Sequence, residues 1–169
     1  MTITPHFLAG SAVATAATSN IFVAFLLGFI THFILDAIPH LDPGTFHHLR
    51  IPGYKKEINL EIVHAEDKPW PEWIYVFVAV EFIITALIVI LLFKDRSNFE
   101  VIIAGGFGGI FVDAMDNPVF NFVLKWPVFR QIHWLHHRAH HNLDPKKWYW
   151  GLPVQLIIIG GAIWYLLKF

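Results

Sequence analysis

The 169-residue chain has no cysteine. That excludes disulfides, thiolate zinc sites, iron–sulfur clusters and a cysteine nucleophile. Charge is scarce too: Asp, Glu, Lys and Arg make up 15% of the chain, and the formal net charge is −1. No basic surplus points to nucleic acid as a partner. The sequence has no GxSxG elbow, no Walker loop and no HExxH, so serine hydrolase, P-loop and zincin readings lack support. Its start, MTITPH, carries no basic residue ahead of the first apolar stretch. That stretch therefore reads as a retained helix and not as a cleaved signal.

What is present is apolar and rich in imidazole. Hydrophobic residues make up 56% of the chain, aromatic residues 16%, and there are eleven histidines. With thiolates excluded, any metal must be held by histidine nitrogen and carboxylate oxygen. The length suits one domain over residues 1–169, interrupted by a polar interfacial loop at 42–72.

Read in order, the chain alternates apolar stretches with short polar breaks. Phe7 to Thr18 is apolar, rich in Ala, Ser, Thr and Gly, and short. Twelve helical residues reach about 18 Å, less than the roughly 30 Å core of a bilayer. Ser19-Asn20 is a turn, and Ile21 to Ile38 a second helix. The 42–72 loop holds Pro-Gly turn signals and an NLEIVHAE stretch that suits either a strand or a helical turn. Trp70, Trp73 and Tyr75 mark re-entry at an interface. Ile74 to Phe93 is the clearest membrane span, interrupted by one acid, Glu81. After the polar 94–98 loop, Phe99 to Met115 passes through the close-packing run Gly105-Gly106-Phe107-Gly108-Gly109 and ends in DAMDNP. Phe120 to Asn142 is amphipathic and broken at Pro127. Gly151 to Leu167 is the last span, preceded by Trp148, Tyr149 and Trp150. The expected fold is an all-α polytopic integral membrane protein, with four to five transmembrane or half-spanning helices and one interfacial amphipathic helix.

The stretch Gly28–Gly44, GFITHFILDAIPHLDPG, carries the strongest chemical signal. His32 and Asp36 are four residues apart and share a helix face. Pro39 stops the helix near Ile38, leaving His40 and Asp42 just past its end. An imidazole and a carboxylate in near-pure hydrocarbon are costly unless paired, hydrogen-bonded or bound to a cation. The stretch therefore reads as a metal-binding element at a membrane surface. The plainer alternative is a His–Asp hydrogen bond that fastens two helices together.

Counting crossings brings the other candidates to the same side. A hairpin of the first two helices returns His6 to Asp36 and His40. The helix after the 94–98 loop ends there with Asp113 and Asp116, and Glu81 lies about two turns deep from that face. Asp113 or Glu81 could accept a proton, and Asp113 with Asp116 could bridge a metal pair or complete a site begun by His32 and Asp36. Asp116-Asn117-Pro118 could equally be a solvated turn. In HWLHHRAHH, five histidines (133, 136, 137, 140 and 141) fall within an arc of about 140° on one helix face. They could ligate metal, contact headgroups or form a hydrophilic surface. Arg138 beside them suits a phosphate or an anionic lipid. His47, His48 and His64 read as peripheral. A gapless internal echo sets LLGFITHFILDAI on IAGGFGGIFVDAM, with Gly28 on Gly105 and Asp36 on Asp113.

On PHFLAG, GFITHFILDAIPHLD and VDAMDNP, the chain resembles the membrane-bound metal-dependent hydrolase family. The resemblance implies His6, His32, Asp36, His40 and Asp113 as metal ligands; the family's common HRGxTHS segment has no counterpart here. A remoter similarity to zinc-dependent phospholipases C points to phosphoester substrates. HWLHHRAHH is similar to the HxxHH boxes of membrane fatty-acid hydroxylases and desaturases, which implies a di-iron oxygenase as the alternative. A non-catalytic metal-binding protein or transporter is a third class. The expectation is a hydrolase with a divalent metal, zinc before manganese or iron, acting on a lipid-like substrate at the bilayer. Nine of the twelve Lys and Arg residues lie on the site face. The positive-inside tendency makes that face the cytoplasmic side of a prokaryotic inner membrane.

Overall fold

The computed structural model describes residues 2–41, 72–115, 118–139 and 148–169. Among them are six α-helices: α1 Ile3–Ala17, α2 Ile21–Asp36, α3 Glu72–Phe93, α4 Phe99–Met115, α5 Pro127–Ala139 and α6 Trp148–Lys168. A 3-10 segment, Pro118–Lys125, precedes α5, and no strand occurs among the described residues. Most of the 42–72 loop, including NLEIVHAE, lies outside the described residues.

Helix boundaries follow local chemistry. The first helix begins at Ile3, four residues before the expected Phe7, because Pro5 is tolerated in a first turn. That shift places His6 inside the helix. Asn20 caps α2, its Oδ1 accepting from Phe22 N at 2.9 Å and Val23 N at 3.1 Å. The end of α2 comes at Asp36, two residues before the expected Ile38. There Ile38 N turns to the Leu35 carbonyl at 3.0 Å, tightening the last turn ahead of Pro39. Pro127 opens α5 at a first-turn position, where its missing N–H costs nothing.

The centre of the molecule is a three-helix unit in which α4 lies against α1 and α2. Glycine permits that approach. A side chain at Gly28 would overlap the Gly105 carbonyl, and one at Gly10 would come within 2.5 Å of the same oxygen. Gly109 likewise faces the His6 carbonyl. Backbones this close gain dispersion contact that larger residues would forbid. The echoed segments lie side by side, so Gly28 meets Gly105 and His32 meets Gly109.

A second cluster ties in the longer helices: Phe7 and Leu8 pack with Val89 and Phe93 of α3, Ile102 and Ile110 of α4, and Ala162 and Leu166 of α6. The helices α3 and α6 lie outside this unit. Only Ile74, Thr85, Val89 and Phe93 of α3 are buried, and it exposes Val76, Phe77, Val80, Ile83, Leu87 and Leu91 among others. Two helices, Glu72–Phe93 and Tyr149–Lys168, are long and apolar enough to cross a membrane. The helices α1, α2 and α4, at 15, 16 and 17 residues, are shorter than a full span.

Candidate metal centre

Four elements deliver ionisable side chains to one end of the bundle. His6 comes from the first turns of α1, His32 and Asp36 from the last turns of α2, Asp113 from the end of α4, and His136 from α5. His40 joins them from the turn after α2. His6, His32, Asp36 and His40 are fully buried, and His136 is 4% exposed. Asp113, with 27% of its side chain exposed, is the open edge of the group.

Asp36 is the hub, and each of the four imidazoles turns its Nε2 toward it. His6 Nε2 lies 3.0 Å from Oδ1, and His136 Nε2 lies 2.7 Å from Oδ2. His32 Nε2 lies 3.0 Å from Oδ2, and His40 Nε2 3.7 Å from Oδ1. His6 stacks on His32 with ring centroids 4.2 Å apart, and His32 is 4.9 Å from the His136 ring.

Backbone carbonyls fix the orientation of two of these rings. His32 Nδ1 donates to the Gly109 carbonyl at 2.7 Å, and His40 Nδ1 donates to the Ile38 carbonyl at 2.6 Å. A neutral imidazole that donates from Nδ1 presents a lone pair at Nε2. In both residues that lone pair faces a carboxylate oxygen, an acceptor facing an acceptor. Buried His32 Nε2 has no hydrogen-bond partner among the described residues. Such an arrangement is repulsive unless a cation or proton lies between the two atoms. A carbonyl that holds one ring nitrogen while the other is aimed inward is the usual support of a metal-binding histidine.

The distances fit a first-row divalent ion. One donor atom each from His32, Asp36, Asp113 and His136 lies within 4.8 Å of all the others. His32 Nε2 and His136 Nε2 stand 3.7 and 3.9 Å from Asp113 Oδ1. Bonds of about 2.0–2.2 Å in a tetrahedron require ligand atoms roughly 3.4 Å apart. The four separations from these imidazoles to the two carboxylates, 2.7, 3.0, 3.7 and 3.9 Å, straddle that value. Two imidazoles and two carboxylates suit zinc, iron or manganese and disfavour soft metals.

The expected ligands His6, His32, Asp36, His40 and Asp113 thus meet at one end. Among the described side chains of HWLHHRAHH, His136 joins them. His133 is also buried, at 8% exposed, but is not among the four that meet. Arg138 is exposed and stacks on Trp134 at 5.2 Å. Glu81 lies elsewhere: its Oε1 accepts from Thr4 N at 3.2 Å, at the amino end of α1. That satisfies a helix-end donor and meets the positive end of the helix dipole. Asp42, Asp116, His140, His141 and the peripheral His47, His48 and His64 lie outside the described residues, as does the side chain of His137.

Helix α5 buries His133 and His136 on a side they share with the half-buried Phe129 and Ile132, while Val128, Gln131, Leu135 and Arg138 are exposed. No family model matches the chain, and neither does any curated protein or solved structure.

Proposed function

We propose that the protein is a membrane-embedded, metal-dependent hydrolase that cleaves a phosphoester or other ester of an amphiphilic substrate at the bilayer interface. The observation that carries the reading is the buried lone pair of His32 Nε2 aimed at Asp36, inside a group where His136 and Asp113 complete a four-ligand set. Membership of the membrane-bound metal-dependent hydrolase family is part of the same proposal.

The membrane setting is supported by apolar surface that water would leave unsatisfied. Most of α3 is exposed and apolar, as are Ile21, Phe22, Ile30 and Ile34 of α2 and Leu156, Ile157 and Trp164 of α6. Helix α5 exposes Val128 and Leu135 beside Gln131 and Arg138, and Phe122 and Trp126 ahead of it are exposed too. A mixed surface of this kind suits an interface, with the apolar side chains in the acyl region and the polar ones among headgroups.

A divalent ion in this site that expanded its coordination beyond the four protein donors to take up a water would lower that water's pKa toward neutrality and polarise the phosphoryl or acyl oxygen. The protein's part is to hold the donors in place. Gly109 and Ile38 carbonyls lock His32 and His40, and the burial of Asp36 keeps its carboxylate from bulk water. Asp113 is the partly exposed carboxylate of the group, and in this reading it accepts a proton on the side from which substrate approaches. A site at the end of the short helices α1, α2 and α4 admits a headgroup while the acyl chains stay in the leaflet.

The test begins with metal analysis of detergent-purified protein by mass spectrometry, paired with phosphoester and phospholipid hydrolysis in mixed micelles. Bound zinc or manganese that disappears in Asp36→Ala together with hydrolysis supports the reading. Unchanged metal content and activity in the His32→Ala/Asp36→Ala double variant would overturn it. A mixed imidazole and carboxylate set also fits non-haem iron. Iron in the purified protein with no hydrolysis would therefore favour the oxygenase. A protein that binds no metal would leave helix packing or transport.

A further inference from the structure

The two oxygens of Asp36 face different partners. Around Oδ2 stand His32 Nε2 at 3.0 Å and His136 Nε2 at 2.7 Å, with Asp113 Oδ1 within 3.9 Å of both rings. Around Oδ1 stand His6 Nε2 at 3.0 Å and His40 Nε2 at 3.7 Å. We propose that the centre is binuclear, with Asp36 as a bridging carboxylate: one divalent ion lies on the Oδ2 side with His32, His136 and Asp113, and a second on the Oδ1 side with His6 and His40. The proposal rests on the metal-binding reading and adds stoichiometry and a division of ligands.

Three observations carry it. First, one tetrahedral ion has no room for four imidazoles and two carboxylates, whereas two ions sharing one carboxylate use all six side chains. Second, the chain supplies the two sides by different routes. His32 reaches Oδ2 from one turn earlier on α2, while His40 reaches Oδ1 only because the helix ends at Asp36 and the chain turns back through Pro39. Third, the turn bearing His40 is held from outside: buried Gln155 of α6 donates from Nε2 to the Leu41 carbonyl at 2.7 Å. His40 is thus fixed at both its ring and its neighbouring backbone, as a ligand requires.

A pair of ions about 3.5–4 Å apart can stabilise both the attacking and the leaving oxygen of an in-line displacement. In-line displacement is the chemistry of phosphoester cleavage, so the bridge points to phosphoesters of amphiphiles as the substrate class.

The test is the number of ions per chain after equilibration with zinc and removal of excess, with concentration set by amino-acid analysis. The expected values are two for the native chain, one for His40→Gln and for His6→Gln, one for His136→Gln, and none for Asp36→Ala. Size-exclusion profiles matched to the native protein establish that each variant is folded. Manganese loading adds an independent readout: exchange-coupled electron paramagnetic resonance in the native protein, replaced by an isolated-ion spectrum in His40→Gln. A native chain that saturates at one ion, or a His40→Gln chain that still holds two, overturns the bridge and leaves the single-metal hydrolase standing. A native chain that binds no ion removes both readings.

Discussion

A single carboxylate, that of Asp36, receives Nε2 atoms from four histidines, and two substitutions separate its charge from its shape. Asparagine at position 36 keeps the volume and one acceptor oxygen but removes the anion. Asp36→Asn is expected to retain native helicity by circular dichroism while losing all bound metal, since the remaining donors lack the charge that holds a cation. Gly28 tests the packing beneath the site. Any side chain there overlaps the Gly105 carbonyl, and His32 hangs from the neighbouring Gly109. Gly28→Ala is expected to cost about 1–3 kcal/mol through forced backbone separation, read as a lowered thermal midpoint in detergent. Metal affinity should fall with it, because the carbonyl that orients His32 moves.

Two contacts between elements separate support from chemistry. Gln155 of α6 holds the Leu41 carbonyl and so positions His40. Gln155→Leu should weaken metal retention by roughly 10–100-fold in chelator competition, the usual effect of losing a residue that orients a ligand. Glu81 gives the opposite expectation. Its contact with Thr4 N puts it at the amino end of α1, where a carboxylate is worth about 0.3–1 kcal/mol. Glu81→Gln is expected to leave metal content unchanged and lower stability slightly. A large loss of hydrolysis at unchanged stability would instead restore Glu81 to the proton-transfer role that its mid-span position suggests.

Charge and chain direction are properties of the whole molecule. By the order of the helices, nine of the twelve basic residues are expected at the site end; among the described ones, Lys94, Arg96 and Lys168 lie at the opposite end. At that opposite end Arg96 donates to the Leu167 carbonyl, closing the 94–98 turn onto the terminus of α6. Because the chain lacks cysteine, single introduced thiols report orientation without background. In right-side-out spheroplasts, Ser97→Cys is expected to react with an impermeant maleimide and Gln131→Cys to be protected until the membrane is opened. The reverse pattern would place the site outside and show that the basic residues serve a bound anion and not topology.

The amino-acid sequence by itself determined the helices, because their signals are local. Apolar runs, the Ser19-Asn20 turn, the Pro39 stop and the Pro127 break each act within a turn of the backbone, and boundaries among the described residues moved by at most four residues. It also determined the His32–Asp36 pair, since one helical turn fixes both on a face. Counting crossings was enough to send His6, His40 and Asp113 to the same end, because a hairpin and a return helix leave few alternatives. What only the tertiary structure decided was selection among equivalents. Five histidines share an arc on the 133–141 stretch, and the sequence has no term that prefers one. Among the side chains described there, His136 reaches Asp36 and His133 does not enter the four-ligand group, because α5 docks beside α2 and α4. Glu81 shows the same limit in another way: its position in a span does not name its partner, and only the fold sets it beside the amino end of α1. Which oxygen of Asp36 each imidazole faces depends on ångström-scale ring orientations set by the Gly109 and Ile38 carbonyls. Those are non-local contacts or turn geometry, and no periodicity in the chain encodes them.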